Sequence, residues 1–479
     1  MTDSIFALLE ADAAPDAASL FTEIAARYLA RAADGDGPVS TPLAPADIAQ
    51  RFDEAMPRSG RPLAEITARI ERDVLADMNR LAHPMAMGHQ VSAPLPAAIW
   101  MDSVVSAMNQ SLAVNEMSPS ATAIERRVIR WMCELAGLGD GAGGTFTSGG
   151  TEATFTALLA ARARAMPAAW EHGVYGTPPV VLCGEHAHYA VTRAVGQLGL
   201  GMQRVIAVPS RDWRMDADAL EGRLSALESQ GTPVMAVVAT AGSTATGAFD
   251  DLDVIGKICQ ARGVWLHVDG AHGASALLSA THKHRLRGIE RADSLAWDPH
   301  KMMLMPLAAG MLLVREERTL ERAFSQDAPY LFHAAGEEGL PDQGTRSFQC
   351  SRRADALKLW VALQRYGAEA IGELYDHLCD VTRALHEMVL ASSRFETVHE
   401  PECNILCFRY AGDGTMDDDT LDGINRDLRE RYNRSGHGWI TTTIVGGRRV
   451  LRVTIMNPRT EARHVAEMLS EVGALGTEH

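Results

Sequence analysis

Basic residues are in short supply. Lys and Arg together number 45 against 61 Asp and Glu, leaving a net charge of -16. That deficit argues against nucleic acid and anionic membranes as partners, and it suits a cytoplasmic location. Cysteine is sparse too. The seven residues, at 133, 183, 259, 350, 379, 403 and 407, are odd in number and dispersed. Such a set reads as reduced thiols rather than a disulfide framework. Cys403 and Cys407 lie close together but lack a second pair, so no metal site is expected there. The N-terminus has no basic stretch; Asp3 and Glu10 stand where a secretory leader would be basic, so no signal peptide is expected. No apolar run is long enough to span a bilayer, and no internal repeat or low-complexity tract is present. What remains is a 479-residue chain with 46% hydrophobic and 22% charged residues. That is the profile of a soluble globular protein of two or three domains.

The texture changes twice along the chain. Residues 1 to about 80 carry apolar residues at helical spacing (Ile5, Leu8, Leu9, then Leu20, Ile24, Tyr28), interrupted by a Gly-, Asp- and Pro-rich loop from Asp34 to Pro42. This segment has too little apolar material to fold alone, so it needs another domain or a second subunit to pack on. From about Pro84, short apolar runs alternate with helical stretches. Strands are predicted at 179–182, 204–208, 234–239 and 264–268, with helices at 189–198, 216–227 and 252–261 between them. Continuously apolar strands in this alternation imply an α/β fold with a mainly parallel sheet flanked by helices. Ligands in such sheets bind beyond the carboxyl ends of the strands. After about residue 366 a helix (370–390) and alternating segments such as Asn404–Phe408 and Arg449–Ile455 read as a small α+β domain.

Unusual residues cluster where the strands end. Thr145 to Ala153 (TFTSGGTEA) carries two glycines and runs into a helix. A helix N-terminus there suits an anion such as a phosphate, or is an ordinary capped turn. His188, in His186-Ala-His188, could lie flat on an aromatic ring; a surface histidine is the plain alternative. The pair also hints at a metal, but no third ligand follows. Thr240 to Thr244 (TAGST) offers hydroxyls and amides, as ordinary loops also do. Asp269, in His267-Val-Asp-Gly-Ala-His272, would sit at a buried strand end and need a partner. A protonated pyridine nitrogen would serve, and so would a local arginine.

Asp298-Pro-His-Lys301 follows the apolar segment Ser294–Trp297. A lysine so placed can reach into a cleft and bond an aldehyde, the best known being pyridoxal 5'-phosphate (PLP). Alone the tetrapeptide reads more readily as a solvated loop lysine. In this order and at these positions the motifs are specific together.

With Ser118–Thr122 (SPSAT), Asn109–Ser111 (NQS), Tyr330–Phe332 (YLF), Phe348–Arg352 (FQCSR) and Leu357–Trp360 (LKLW), the sequence resembles the PLP-dependent group II amino acid decarboxylases. The likeness is to the glutamate, cysteine sulfinate and 2,4-diaminobutyrate enzymes, over about residues 80–460. It implies the aspartate aminotransferase fold (type I) and PLP as cofactor. The segments implied are a helical dimerisation region (1–82), a large PLP-binding domain (83–365) and a small C-terminal domain (366–479). Lys301 would hold the cofactor covalently and Asp269 would pair with its ring nitrogen. His188 would stack on one ring face and Ala271 pack on the other. Gly150, Thr151 and His300 would hold the phosphate, and Thr240 would lie near the ring 3'-oxygen. Gln90 and Arg452 match positions that hold a substrate carboxylate. The family is homodimeric, with active sites at the interface.

Two departures stand out. Relatives have Asp-Ala-Ala-Tyr where this chain has Asp269-Gly-Ala-His272. They also carry a loop tyrosine that reprotonates the substrate carbon, whereas the loop from Ala334 to Thr345 has no tyrosine. The expected activity is α-decarboxylation of an L-amino acid, with a small acidic one favoured by Gln90 and Arg452, giving CO2 and an amine. His188 or Lys301 would then supply the proton to the substrate carbon. The absent tyrosine makes aldehyde formation by oxidative deamination or transamination the alternative. A non-catalytic PLP-fold binding protein is the remote one.

Overall fold

Valine-rich runs without polar alternation demand burial on both faces. The computed structural model, which describes residues 2–91, 93–324, 342–412 and 414–478, sets these runs side by side. The strands are β1 (Gly143–Thr147), β2 (Val180–Gly184), β3 (Val205–Val208), a short hairpin of β4 (Ser210–Arg211) and β5 (Arg214–Met215), β6 (Val234–Thr240), β7 (Trp265–Asp269), β8 (Ser294–Trp297) and β9 (Gly310–Val314). All but the hairpin form one sheet in the order β1-β9-β8-β7-β6-β2-β3. Parallel pairing joins β3, β2, β6, β7 and β8 in turn. Only β9 runs against its neighbours, β1 and β8. The carboxyl ends of β1, β2, β6, β7 and β8 therefore open on one edge, where the unusual residues lie.

The helix Gly150–Ala165 lies on this sheet through small residues. Ala153 and Ala157 pack with Ala296, Leu312 and Val314, while Leu158 and Leu159 join Val181, Val238 and Trp265. Alanine keeps the helix axis close to the strands, so its first turn sits against the loops after β7 and β8. Below it, Arg352 grips Glu125 through two bonds of 2.7 and 2.8 Å, both side chains being buried. A bidentate pair of this kind is costly to break, since either partner alone would be a buried, uncompensated charge.

The described residues fall into two compact units. The larger comprises residues 90–382 and 399–406; the other comprises 1–89, 383–398 and 407–479. In the second, the strands β10 (Phe395–Thr397), β11 (Ile405–Tyr410), β12 (Thr441–Val445) and β13 (Arg448–Thr454) are ordered β10-β11-β13-β12. The N-terminal helices belong to this same unit. Val39 N–H donates to Gly436 O at 2.8 Å, Met87 N–H to Trp439 O at 2.9 Å, and Asn457 Nδ2 to His83 O at 2.9 Å. No helix among the described residues is long and apolar enough to cross a membrane.

Candidate active site

The turn after β1 is built for close approach. Gly149 adopts φ +152° and ψ 179°, a region open essentially to glycine alone. At Gly150 a Cβ would meet Ala271 Cβ at 2.7 Å and Asp298 Oδ2 at 3.2 Å, so nothing larger fits. The first intrahelical bond of the following helix runs from Ala153 N–H to Gly149 O at 3.0 Å. The amides of Gly150, Thr151 and Glu152 precede it, at the positive end of the helix dipole. Glu152 Oε2 clamps the turn, accepting from Ser148 N at 2.9 Å, Ser148 Oγ at 2.6 Å and Gln349 Nε2 at 2.9 Å.

The other strand ends converge on the same place. Eight expected residues, Gly150, Thr151, His188, Thr240, Asp269, Ala271, His300 and Lys301, line one cavity of about 290 Å³. Ser148, Gly149, Gly242, Thr244, His272, Asp298 and Leu307 complete it. A larger hollow of about 690 Å³ lies in the other unit against His83, His437 and His464, but it contains no lysine. Chemistry rather than size singles out the first.

Each side chain is held by its own partners. Asp269 is buried at the end of β7 and accepts Ala271 N–H at 3.2 Å, with its other acceptor positions left to the cavity it lines. Thr240 N–H donates at 2.7 Å to Asp250 Oδ2, whose Oδ1 takes Met215 N–H at 2.7 Å. Burial pushes the Asp250 carboxyl up to about 6, against the pull of those two donors. His188 Nδ1 accepts Ala190 N–H at 3.2 Å, which leaves the ring proton on Nε2. Burial pushes the His188 pKa down and Lys301 adds to this, while Asp269 and Asp298 oppose it. His300 Nδ1 accepts Ala309 N–H at 3.0 Å, and its Nε2 lies 3.4 Å from Asp298 Oδ2.

His267 lies behind Asp269 in β7, wholly buried. Its Nδ1 is 2.9 Å from Ser294 Oγ, which also accepts Trp265 Nε1 at 2.8 Å. Burial pushes its pKa from 6.5 down to about 4, with Asp269 opposing. Between these values the unfolded chain binds more protons than the folded one. His267 therefore adds stability that is present above pH 6.5 and lost as pH falls through 4. The loss is about 3 kcal/mol at roughly 1.4 kcal/mol per pH unit. We expect the stability gap between the protein and its His267→Gln variant to shrink by that amount between pH 7 and pH 4 in urea melts. A gap that stays constant would contradict this.

Two expected residues stand elsewhere. Gln90 and Arg452 do not line the cavity. Gln90 is half-buried in the larger unit, where its Nε2 has no protein acceptor. Arg452 is buried on β13 of the other unit. Tyr330, His333 and residues 334–341 of the tyrosine-free loop, including Glu337, Glu338 and Pro341, lie outside the described residues. Among the described residues no three His, Cys, Asp or Glu side chains are grouped to hold a metal ion. Sequence reasoning gave no role to Asp250, Glu152 or the Asp298 carboxylate. A charged residue three before the lysine was the one available signal.

The cavity fits PLP. The helix amides suit its phosphate, the buried Asp269 suits a protonated ring nitrogen, and Lys301 suits its aldehyde. A mainly parallel sheet with a lysine after one strand and an aspartate after its neighbour defines a PLP enzyme of fold type I.

The comparisons agree. Residues 45–411 match the pyridoxal-dependent decarboxylase conserved domain. The L-2,4-diaminobutyrate decarboxylase of Rhizobium meliloti (strain 1021) is 34% identical over 89% of this chain and 84% of its own length. The cysteine sulfinic acid decarboxylase of Rattus norvegicus is 32% identical over 90% of each. A crystal structure of the glutamate decarboxylase domain of diaminobutyrate-pyruvate transaminase and L-2,4-diaminobutyrate decarboxylase from Vibrio parahaemolyticus superposes with a TM-score of 0.86 at 28% identity, covering 97% of this chain and 96% of that one. The chain belongs to the pyridoxal-dependent decarboxylase family, and it is a PLP-dependent amino acid decarboxylase.

Proposed function

We propose that the enzyme removes the α-carboxyl group of a small acidic L-amino acid, releasing CO2 and an amine. The carrying observation is the convergence of Lys301, Asp269 and His188 on one cavity headed by a helix N-terminus. The bound cofactor supplies a sink for the electrons left behind when CO2 departs. The chain's own residues do the rest. Lys301 would hold the cofactor covalently. Asp269 keeps the proton on the ring nitrogen, while His188 and Ala271 hold the ring between them. Thr151 and His300 take the phosphate beside Gly150, whose own N–H is held by Asp298 Oδ2 at 3.0 Å, and Thr240 takes the 3'-oxygen side. Gln90 offers a buried amide donor, and Arg452 a guanidinium matched to a carboxylate or sulfinate.

Return of the proton to the substrate carbon falls to His188 or Lys301 in this reading. Burial disfavours the charged form of His188, which makes it a weak donor near neutral pH. The ε-ammonium of the displaced Lys301 is then the better candidate. The exposed Phe6, Leu9, Phe21 and Met56 of the N-terminal segment support a homodimer, as apolar surface of this kind needs cover.

The sequence likeness to 2,4-diaminobutyrate decarboxylases favours a second reading with a diamino acid as substrate. One assay separates the two. CO2 release is measured from aspartate, glutamate, cysteine sulfinate, 2,4-diaminobutyrate and an aromatic amino acid, with amine, aldehyde and hydrogen peroxide quantified together. The expected result is preference for an acidic substrate and one amine per CO2. Activity confined to the diamino or aromatic substrates would reject the acidic reading. Aldehyde with peroxide would establish the oxidative alternative.

A further inference from the structure

Asp298 occupies a junction in the larger unit. Its Oδ2 accepts Gly150 N–H at 3.0 Å, lies 3.2 Å from Lys301 Nζ and lies 3.4 Å from His300 Nε2. The residue is wholly buried and belongs to the cavity wall. A carboxylate beside a phosphate cradle is repulsive unless it has a cation of its own. Lys301, three residues on, is the cation within reach. Burial pushes the Asp298 carboxyl upward, but Lys301, His300 and the Gly150 amide outweigh this and hold it below its ordinary range. It is a carboxylate at neutral pH.

We propose that Asp298 is the positioning residue for Lys301, holding its ε-ammonium at the cavity wall whenever the lysine is not bonded to the cofactor. The inference rests on the reading that Lys301 attaches PLP. Attachment joins Nζ to the aldehyde carbon by a double bond and expels the aldehyde oxygen as water. It therefore needs Nζ as the neutral amine, with one proton first lost to solvent. The other ionisable groups facing Lys301 are His300 on its own loop, His188 after β2 and Asp269 after β7.

The test uses the full chain stripped of cofactor. PLP is added across pH 6–9, and capture is followed by absorbance, then trapped with borohydride and located by peptide mapping. Asp298→Asn keeps an acceptor for Gly150 N–H but loses the charge, so a purely structural role would leave its capture rate where the wild type has it. We expect capture at Lys301 to be faster than in the wild type by about threefold or more, because the amine is no longer held at the wall by an adjacent buried charge. An unchanged capture rate with trapping still at Lys301 overturns this inference alone. A wild-type protein that is not trapped at Lys301 overturns the underlying reading instead. The second measurement compares apo Lys301→Met with Lys301→Met/Asp298→Asn. The double variant should melt higher, since the single one leaves a buried carboxylate without its cation. Equal melting, or failure of Asp298→Asn to fold with either residue at 301, assigns Asp298 a structural role and overturns the proposal.

Discussion

Lys301→Ala is expected to yield a folded protein that stays colourless in the presence of PLP and releases CO2 from no amino acid above background. The expected loss of turnover is roughly 10³-fold or more, the scale on which removal of a covalent catalytic group acts. The reasoning starts from position. Lys301 follows β8 beyond a proline, with its backbone N–H donating to Asp298 O at 3.0 Å, and that short turn aims Nζ into the cavity. Alanine removes the amine without disturbing the turn. Lys301→Arg makes the argument sharper. Arginine can keep the charge beside Asp298, but its guanidinium is a poor nucleophile and stays protonated. A colourless Lys301→Arg protein would show that chemistry, not charge, is what position 301 supplies. Borohydride trapping of the cofactor on another lysine in either variant would refute the assignment.

The parts of this site that could be read from sequence are those whose signal is local. Strands β2, β3 and β6 are mainly apolar runs, β7 is apolar but for His267 and Asp269, and each lies within a residue or two of its predicted span. The glycine pair before a helix and the lysine after an apolar run carry their meaning within ten residues. Partnerships across the chain have no such signature. Asp298 meets Gly150 from 148 positions away, and Asp250 supports both Thr240 at the end of β6 and Met215 in β5. The same holds for the larger organisation. The N-terminal segment is expected to need another domain or a second subunit to pack on, and Val39 and Met87 bond to the backbone near residue 437. Nothing in the periodicity of residues 1–82 announces those contacts. The antiparallel β9 is also silent in sequence, because an apolar strand buried on both faces looks the same in either direction.

Asp269→Asn is expected to keep the colour and lose the turnover. Asparagine matches the aspartate in shape, and its carbonyl oxygen can still accept Ala271 N–H as Oδ1 does at 3.2 Å. Cofactor attachment through Lys301 should survive, so an absorption band remains. What is lost is the negative charge at the end of β7, where the ring nitrogen needs a carboxylate to stay protonated. An amide there offers its own N–H or a weaker acceptor, and the sink for the departing electrons is poorer by the cost of one buried electrostatic partner. Removal of one such preorganised group commonly lowers kcat by roughly 10²–10³-fold. Substrate binding is expected to change far less, because Asp269 acts on charge that develops during the reaction. The measurement is kcat and KM for CO2 release, taken beside the absorption spectrum of the same preparation. A variant with its band intact and kcat within a few-fold of the parent would show that Asp269 is not the ring-nitrogen partner, and the other buried acid of the cavity wall, Asp298, would have to be tested in its place.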